Sequence, residues 1–458
     1  MNELLAIGIG FAAVALILVV WLRDWFFRFC AIGIIVVAYG AGYLQLIVPV
    51  RVVMLVLVLA MIAYLLGFKG ASTNHRERAL LAGLAILSCV GFGIGQATIT
   101  ASETDALFRY TLLYPAIFIA GYLTSKAGKA HLLSHIYVYI SLGMALLAVF
   151  ERLRGSFLVA GGYENADRLV RDGALRSVVF SEHPLVLSVL IAASVPLVPL
   201  MFKSFGARCL TYLVLVGGVL STNSRGALAI LAAWFVIRAA MRINFLTPAT
   251  ARIAKFLAFF GAGVAFISIM IGNGMDELSS ASAVDASAEY RAALYSFAIR
   301  SLTEQPWGWG ISGLPEGVYL LPSYFGVLDI SKTVDSELAL AMFDFGWVGL
   351  CGFVGLFFIQ IRARSLSNPL GQAALIITVS GLYLALHAWV GLGSVWILMA
   401  GLALGRLSPS VPPSESVDGA ASPLKQANPA IRRHDLHLPY KTAQEPIEIR
   451  RILGPANQ

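Results

Sequence analysis

Apolar stretches of roughly 16–22 residues recur along this chain, each long enough to cross a ~30 Å hydrocarbon core. They run Leu4–Leu22, Phe29–Val48, Val52–Gly67, Ala79–Gln96, Leu107–Tyr122, His131–Phe150 and Pro184–Phe202. Further on come Cys209–Leu220, Gly226–Ala240, Lys255–Ile271, Leu338–Ile361, Leu370–Val390 and Gly393–Leu407. Composition agrees: 58% of residues are hydrophobic and 13% charged, whereas a soluble domain is nearer a quarter charged. The expected fold class is all-α, a polytopic transmembrane helix bundle of about 12–13 helices.

Charge gives the bundle an orientation. The net charge of +8 is modest for 458 residues. It fits loop arginines near anionic lipid heads better than a nucleic-acid surface. One set of loops is basic: Arg23 and Arg28; Lys69, Arg76 and Arg78; Lys126 and Lys129; Lys203 and Arg208; Arg238 to Lys255; Arg362 and Arg364. These are expected on the cytoplasmic side, and loops such as Glu103–Asp105 outside. The N-terminus then lies outside and the C-terminus inside. No small-residue cleavage site follows Leu4–Leu22, so no cleavable signal peptide is expected. Cys30, Cys89, Cys209 and Cys351 lack metal-ligand spacing and read as buried small side chains.

Two external segments are too long to be turns, 151–183 and 272–337, and long connections in compact proteins usually serve function. Ala286–Leu302 in the second has helical periodicity and ends before Gln305-Pro306-Trp307-Gly308-Trp309-Gly310. Pro315–Lys332 reads as irregular and aromatic. Residues 1–407 form the expected membrane domain. Residues 408–458, rich in Pro, Ser and charge, read as a disordered cytoplasmic tail.

Several polar residues stand where a membrane chain rarely keeps them. Arg225 follows Ser221-Thr222-Asn223-Ser224 between two apolar runs. A guanidinium at a helix centre costs roughly 3 kcal/mol or more, so it must meet water, a partner or an anion. Its planar fork suits phosphate; the alternative is a helix end snorkelling to lipid. Arg291 lies on the loop helix with Tyr295 four residues on, on one face. Asp335 and Glu337 stand where the loop re-enters the membrane; Ser336 or Asp335 is the expected helix cap with the other left free, and the alternative role of a carboxylate there is to take a proton from an attacking hydroxyl. Asp344 lies deeper, either paired with an arginine or lining a cavity. Arg176 and His183-Pro184 bracket the end of the first loop. The pair His131 and His135 has metal-ligand spacing but no further ligand nearby. No nucleotide loop, metal motif or cofactor site is expected, and no metal is assigned.

In this order, four stretches resemble the O-antigen ligase and O-antigen polymerase superfamily, which includes exopolysaccharide repeat-unit polymerases. They are Arg176 through Phe180 to His183-Pro184; Ser224-Arg225-Gly226-Ala227; Arg291-x-x-x-Tyr295 with Pro306-x-Gly308-x-Gly310; and Asp335-Ser336 with Asp344-x-Gly346-x-x-Gly349. The resemblance implies a metal-independent, inverting glycosyltransferase of the C-type membrane fold, working at the external face of the bacterial inner membrane. Its donor would be a saccharide on undecaprenyl pyrophosphate. By the same analogy Arg225 and Arg291 bind pyrophosphate, with Arg176 a candidate third, and Asp335 is the base. His183, Tyr295, Asp344 and Glu337 are then candidate substrate-binding residues. The lipid bilayer is a partner, and a chain-length-regulating membrane protein a candidate one. Ligases of the superfamily generally carry histidine where this chain has Asp335, which favours polymerase over ligase. The competing class is a lipid-linked oligosaccharide flippase, which would more often show paired halves with broken helices.

Overall fold

The computed structural model describes residues 23–45, 47–67, 73, 75–98, 104–158, 170–171, 174–242, 283–323, 326–361 and 368–407. The expected spans Leu4–Leu22 and Lys255–Ile271, parts of both long loops and the tail 408–458 lie outside them.

The helices in chain order are α1 (Arg23–Leu44), α2 (Val50–Gly67), α3 (His75–Thr98), α4 (Thr104–Lys126), α5 (Ala130–Arg154) and α6 (Pro184–Met201). Then follow α7 (Phe205–Ser221), α8 (Arg225–Arg242), α9 (Ala283–Glu304), α10 (Glu337–Ile361), α11 (Pro369–Ser380) and α12 (Val390–Leu407). Among the described residues seven helices are long and apolar enough to cross a membrane. Helices satisfy their own backbone polar groups, which hydrocarbon requires. This is a multi-pass helical membrane protein.

Little hydrophobic force drives helices together in lipid, so small residues and buried hydrogen bonds do that work. At the α4–α12 contact a Cβ on Gly121 would lie 2.5 Å from the Leu398 carbonyl oxygen, and one on Gly401 2.5 Å from that of Phe118. The missing side chains let the two backbones touch. The indoles of Trp234 on α8 and Trp396 on α12 donate to Gln372 and Thr378 of α11, each at 2.9 Å. Helix α11 is buried all round from Leu370 to Ser380, as expected of a helix inside a bundle. In contrast α3 exposes Leu80, Ile86, Leu87, Val90 and Ile94, an apolar surface suited to lipid. Cys89, Cys209 and Cys351 are exposed on helix surfaces, and only Cys30 is buried. The reading of all four as buried is corrected: composition cannot tell a lipid-facing stripe from a core-facing one.

The span expected over Leu370–Val390 is also corrected. Helix α11 stops at Ser380, and Gly381–Trp389 is not helical before α12 begins at Val390. Twelve residues rise only about 18 Å, so α11 ends inside the bundle.

The second long loop has a small core of its own. On α9, Leu294, Ala298 and Leu302 are buried against Tyr319, Ile330, Ala339, Met342 and Phe343. Their four-residue spacing puts them on one helix face. The segment read as irregular contains an antiparallel hairpin, β3 (Leu320–Ser323) with β4 (Gly326–Asp329), and Leu320 pairs with Asp329. Tyr319 stacks on Phe297 at 4.9 Å between ring centres. The first long loop carries a two-residue pairing, β1 (Val170–Arg171) with β2 (Ala174–Leu175).

Candidate active site

Arg176 to His183 is held from beneath by a carboxylate. Glu151, fully buried at the end of α5, accepts the amides of Val178 at 2.8 Å, Val179 at 2.9 Å and Leu158 at 3.0 Å. Val179 has φ +56°, a left-handed conformation costly for a β-branched residue. The bonds to Glu151 hold it there. Next, Arg176 Nε donates to the Thr222 carbonyl at 3.2 Å, and the Ser177 amide to that of Ser221 at 3.1 Å. The first loop is thereby stitched to the α7–α8 turn, where Asn223 takes φ +51°, a conformation asparagine tolerates. His183 caps α6: its Nδ1 accepts the Leu185 amide at 3.2 Å, and its ring stacks on Trp389 at 5.5 Å. Burial, reinforced by Arg176, pulls its pKa down to about 4. His183 is therefore a neutral acceptor at physiological pH.

Arg225 is the first residue of α8 and is exposed. A guanidinium beside a helix N-terminus adds its charge to unpaired amides, and both favour an anion. Gly226 lies against Tyr383; a Cβ there would sit 2.8 Å from the ring.

Across from this turn, α9 brings Arg291 to Asp335, with Nη2 3.9 Å from Oδ2. The pair is incompletely closed. Arg291 Nε and Asp335 Oδ1 are both buried without a hydrogen-bond partner. Burial pushes the Asp335 carboxyl up to about 6, against the pull of Arg291. Ser336 is the cap, its Oγ accepting the Ala339 amide at 3.3 Å, so Asp335 is released from capping. Tyr295 holds the arrangement: its hydroxyl meets Ser336 Oγ at 2.9 Å and donates to the Leu382 carbonyl.

Glu337 opens α10 and is engaged by the broken segment. Its carboxylate takes His387 Nδ1 at 2.8 Å and the His387 amide at 3.1 Å. Arg109 Nη1 donates to the His387 carbonyl at 2.5 Å, and the Tyr114 hydroxyl to the same oxygen at 3.0 Å. Arg109 stands in a widened π turn of α4, Arg109–Leu113, a feature frequent at functional sites. Asp344 is buried, with Oδ1 unpartnered, in electrostatic reach of His387 and Arg109.

Two of the sequence motifs interlock by backbone. A Cβ on Gly308 would lie 2.4 Å from the Asp344 carbonyl oxygen, and one on Gly346 2.0 Å from that of Pro306. Gly346 takes φ +55°, ψ −133° and kinks α10. Across the joint the Trp309 amide donates to Phe343 at 2.8 Å, and that of Trp347 to Pro306 at 2.9 Å.

The structure thus joins Arg291 to Asp335, ties Arg176 to the turn preceding Arg225, and seats Glu337 two residues beyond Asp335. A cavity of 520 Å³ lies on the other side of the break, lined by Gln45, Arg51, Asp105, Phe108, Glu182 and Val390 among others. Arg225, Arg291 and Asp335 do not line it. Burial lifts Glu182 in its wall to about 7, though the Gly391 and Val390 amides pull the other way. His131 and His135 bond to the Gly128 and Leu200 carbonyls. Among the described residues no group of three or more His, Cys, Asp or Glu could hold a metal.

Sequence reasoning missed Arg109, Glu151 and His387. The signal for Arg109 and His387 was present. Each is an ionisable residue inside an apolar span, the criterion that singled out Arg225. Glu151 gave no such signal, because its role depends on a strained turn not visible in sequence.

The fold and site define a multi-pass helical membrane protein in which an arginine–carboxylate pair and a histidine–carboxylate pair gather round a broken helix. Residues 210–354 match the family model described as O-Antigen ligase. Over that stretch, about a third of the chain, the sequence is similar to the O-antigen ligase family. The matched region holds Arg225, Arg291, Tyr295, Asp335, Glu337 and Asp344, while Arg176, His183, Arg109 and His387 lie outside it. Curated proteins give no significant match.

Proposed function

We propose that this protein is a polymerase joining undecaprenyl-pyrophosphate-linked oligosaccharide repeat units into a surface polysaccharide, by inverting, metal-independent transfer at the external face of the bacterial inner membrane. The observation that carries this reading is the open Arg291–Asp335 pair, which leaves a buried donor and a buried acceptor side by side. The acceptor hydroxyl attacks the anomeric carbon, and its proton passes to Asp335. The new C–O bond forms as the bond to pyrophosphate breaks on the opposite face. Arg291 and Arg225 stabilise the charge developing on the leaving pyrophosphate, where preorganised donors have their largest effect. Arg176 reinforces that side. A base with pKa near 6 suits the task, because it is ionised at neutral pH and still accepts a proton well.

The bilayer holds the polyprenyl tails, so the loop need only orient sugars. His183, Tyr295, Asp344 and Glu337 shape the substrate site around these groups. The proposed membrane domain is 1–407, with its C-terminal end on the cytoplasmic side. A chain-length-regulating membrane protein is the expected partner. Aspartate at 335, where ligases of the superfamily generally have histidine, supports polymerase over ligase.

The test is the lipid-linked saccharide profile of cells lacking the protein, with sidedness. Single repeat units on the carrier at the external face are expected. Long chains left on the carrier would make it a ligase, and single units held at the cytoplasmic face a flippase.

A further inference from the structure

The non-helical segment Gly381–Trp389 touches Glu337, Tyr295 and His183 of the proposed site and the neighbours of Arg225 and Asp335, although it lies outside the region matched by the family model. Its Gly381 carbonyl accepts the Glu337 amide at 2.7 Å and Ser336 Oγ at 3.3 Å. Leu382 takes the Tyr295 hydroxyl. Tyr383 packs on Gly226, beside Arg225. At the other end Trp389 stacks on His183. A break at membrane depth is tolerated only where its freed backbone groups find protein partners, and here those partners are the site residues or their neighbours.

The segment holds one histidine, whose backbone groups and Nδ1 are all engaged. His387 gives its amide and Nδ1 to Glu337, and its carbonyl accepts from both Arg109 and Tyr114. Both residues are buried, at 7% and 6% exposure. Removing one partner of a buried charged pair strands the other, so the pair fixes geometry strongly. Both Glu337 oxygens lie within 2.9 Å of His387 Nδ1, which leaves the carboxylate little capacity for a sugar.

We propose that His387, held by Glu337, is a positioning residue for glycosyl transfer: the pair latches the helix break against the start of α10, setting the spacing of Arg225, Asp335 and His183. This rests on the transfer reading above. It moves Glu337 from direct substrate contact to holding the break.

The experiment uses the full chain in lipid nanodiscs with a polyprenyl-pyrophosphate oligosaccharide as donor, reading kcat and KM. Amide hydrogen exchange over 381–389 is read in parallel and needs no activity. His387→Leu and Glu337→Leu should each lower kcat by about thirty-fold or more with donor KM within about threefold, and should speed exchange in that segment. The double variant should be no slower than either single one, because the two residues act as a unit. Glu337→Gln keeps an acceptor for Nδ1–H and should restore most of the rate. If the leucine variants do not insert, Tyr114→Phe removes one bond to the His387 carbonyl and should give a smaller loss in the same direction. Unchanged kcat, a rise in KM alone, additive losses or unaltered exchange would overturn the proposal. A wild-type protein inactive on this donor would instead sink the transfer reading, and the exchange data would still decide the latch.

Discussion

Asp335 and Glu337 are two residues apart, yet their pairings are opposites. Asp335 meets Arg291 at 3.9 Å, only partly exposed, with a buried oxygen and a buried nitrogen unpartnered. Glu337 meets His387 at 2.8 Å, buried, with both oxygens engaged. A buried polar atom left unbonded costs roughly 1–3 kcal/mol. In the proposed reaction the satisfied carboxylate holds the structure and the open one meets the acceptor. Ser336, between them, caps the helix and turns the two side chains to different partners.

The comparison breaks first at Asp335. Asp335→Asn should lower turnover by about 10²–10⁴, the range for loss of a general base. In the native protein the rate should rise with pH through about 6 as the carboxyl ionises, then level off. That limb should vanish in the variant, and a pH–rate profile checks both. Arg291→Ala and Arg225→Ala should each cost on the order of 10²–10³, as for lost transition-state donors. Full polymer output from both variants at normal expression would remove the pyrophosphate assignment.

Glu151 sharpens the contrast from the saturated side. Glu151→Leu leaves the amides of Leu158, Val178 and Val179 without their acceptor, and stability should fall by on the order of 3 kcal/mol. Thermal melting in detergent reads that loss. Gly226→Ala forces Tyr383 to shift and should cost about 1–3 kcal/mol of packing, seen as a several-fold loss of turnover with the protein still folded. At the small end, Arg300→Ala breaks the exposed pair with Glu304. Melting and turnover should both stay at native values, since exposed pairs contribute little.

The spans were legible because twenty apolar residues have one inexpensive way to cross a bilayer. The loop helix was legible through its period: Ala286–Leu302 lies within α9. Arg225 stood out as a charge out of place, whereas Arg291 and Asp335 were singled out by the resemblance, and the structure brings those two together. The break at Gly381 was not, since Leu370–Val390 is as hydrophobic where it unwinds as where it coils. What stops the helix there is tertiary: amides of α10 and hydroxyls of Tyr295 and Ser336 take the carbonyls. The hairpin at Leu320–Asp329 escaped for a related reason, as Tyr319 at its start packs on α9 and α10 and its strands show no clean alternation.

The contact of Gly308 with Gly346 has a mechanical consequence. With no room for a side chain on either backbone, the loop module and the kink of α10 are keyed like tongue and groove. Whatever motion this part of the protein makes must carry α9, the hairpin and the first turns of α10 as one body. The give must therefore come from elsewhere, and any force exerted on the loop is transmitted directly to Asp335.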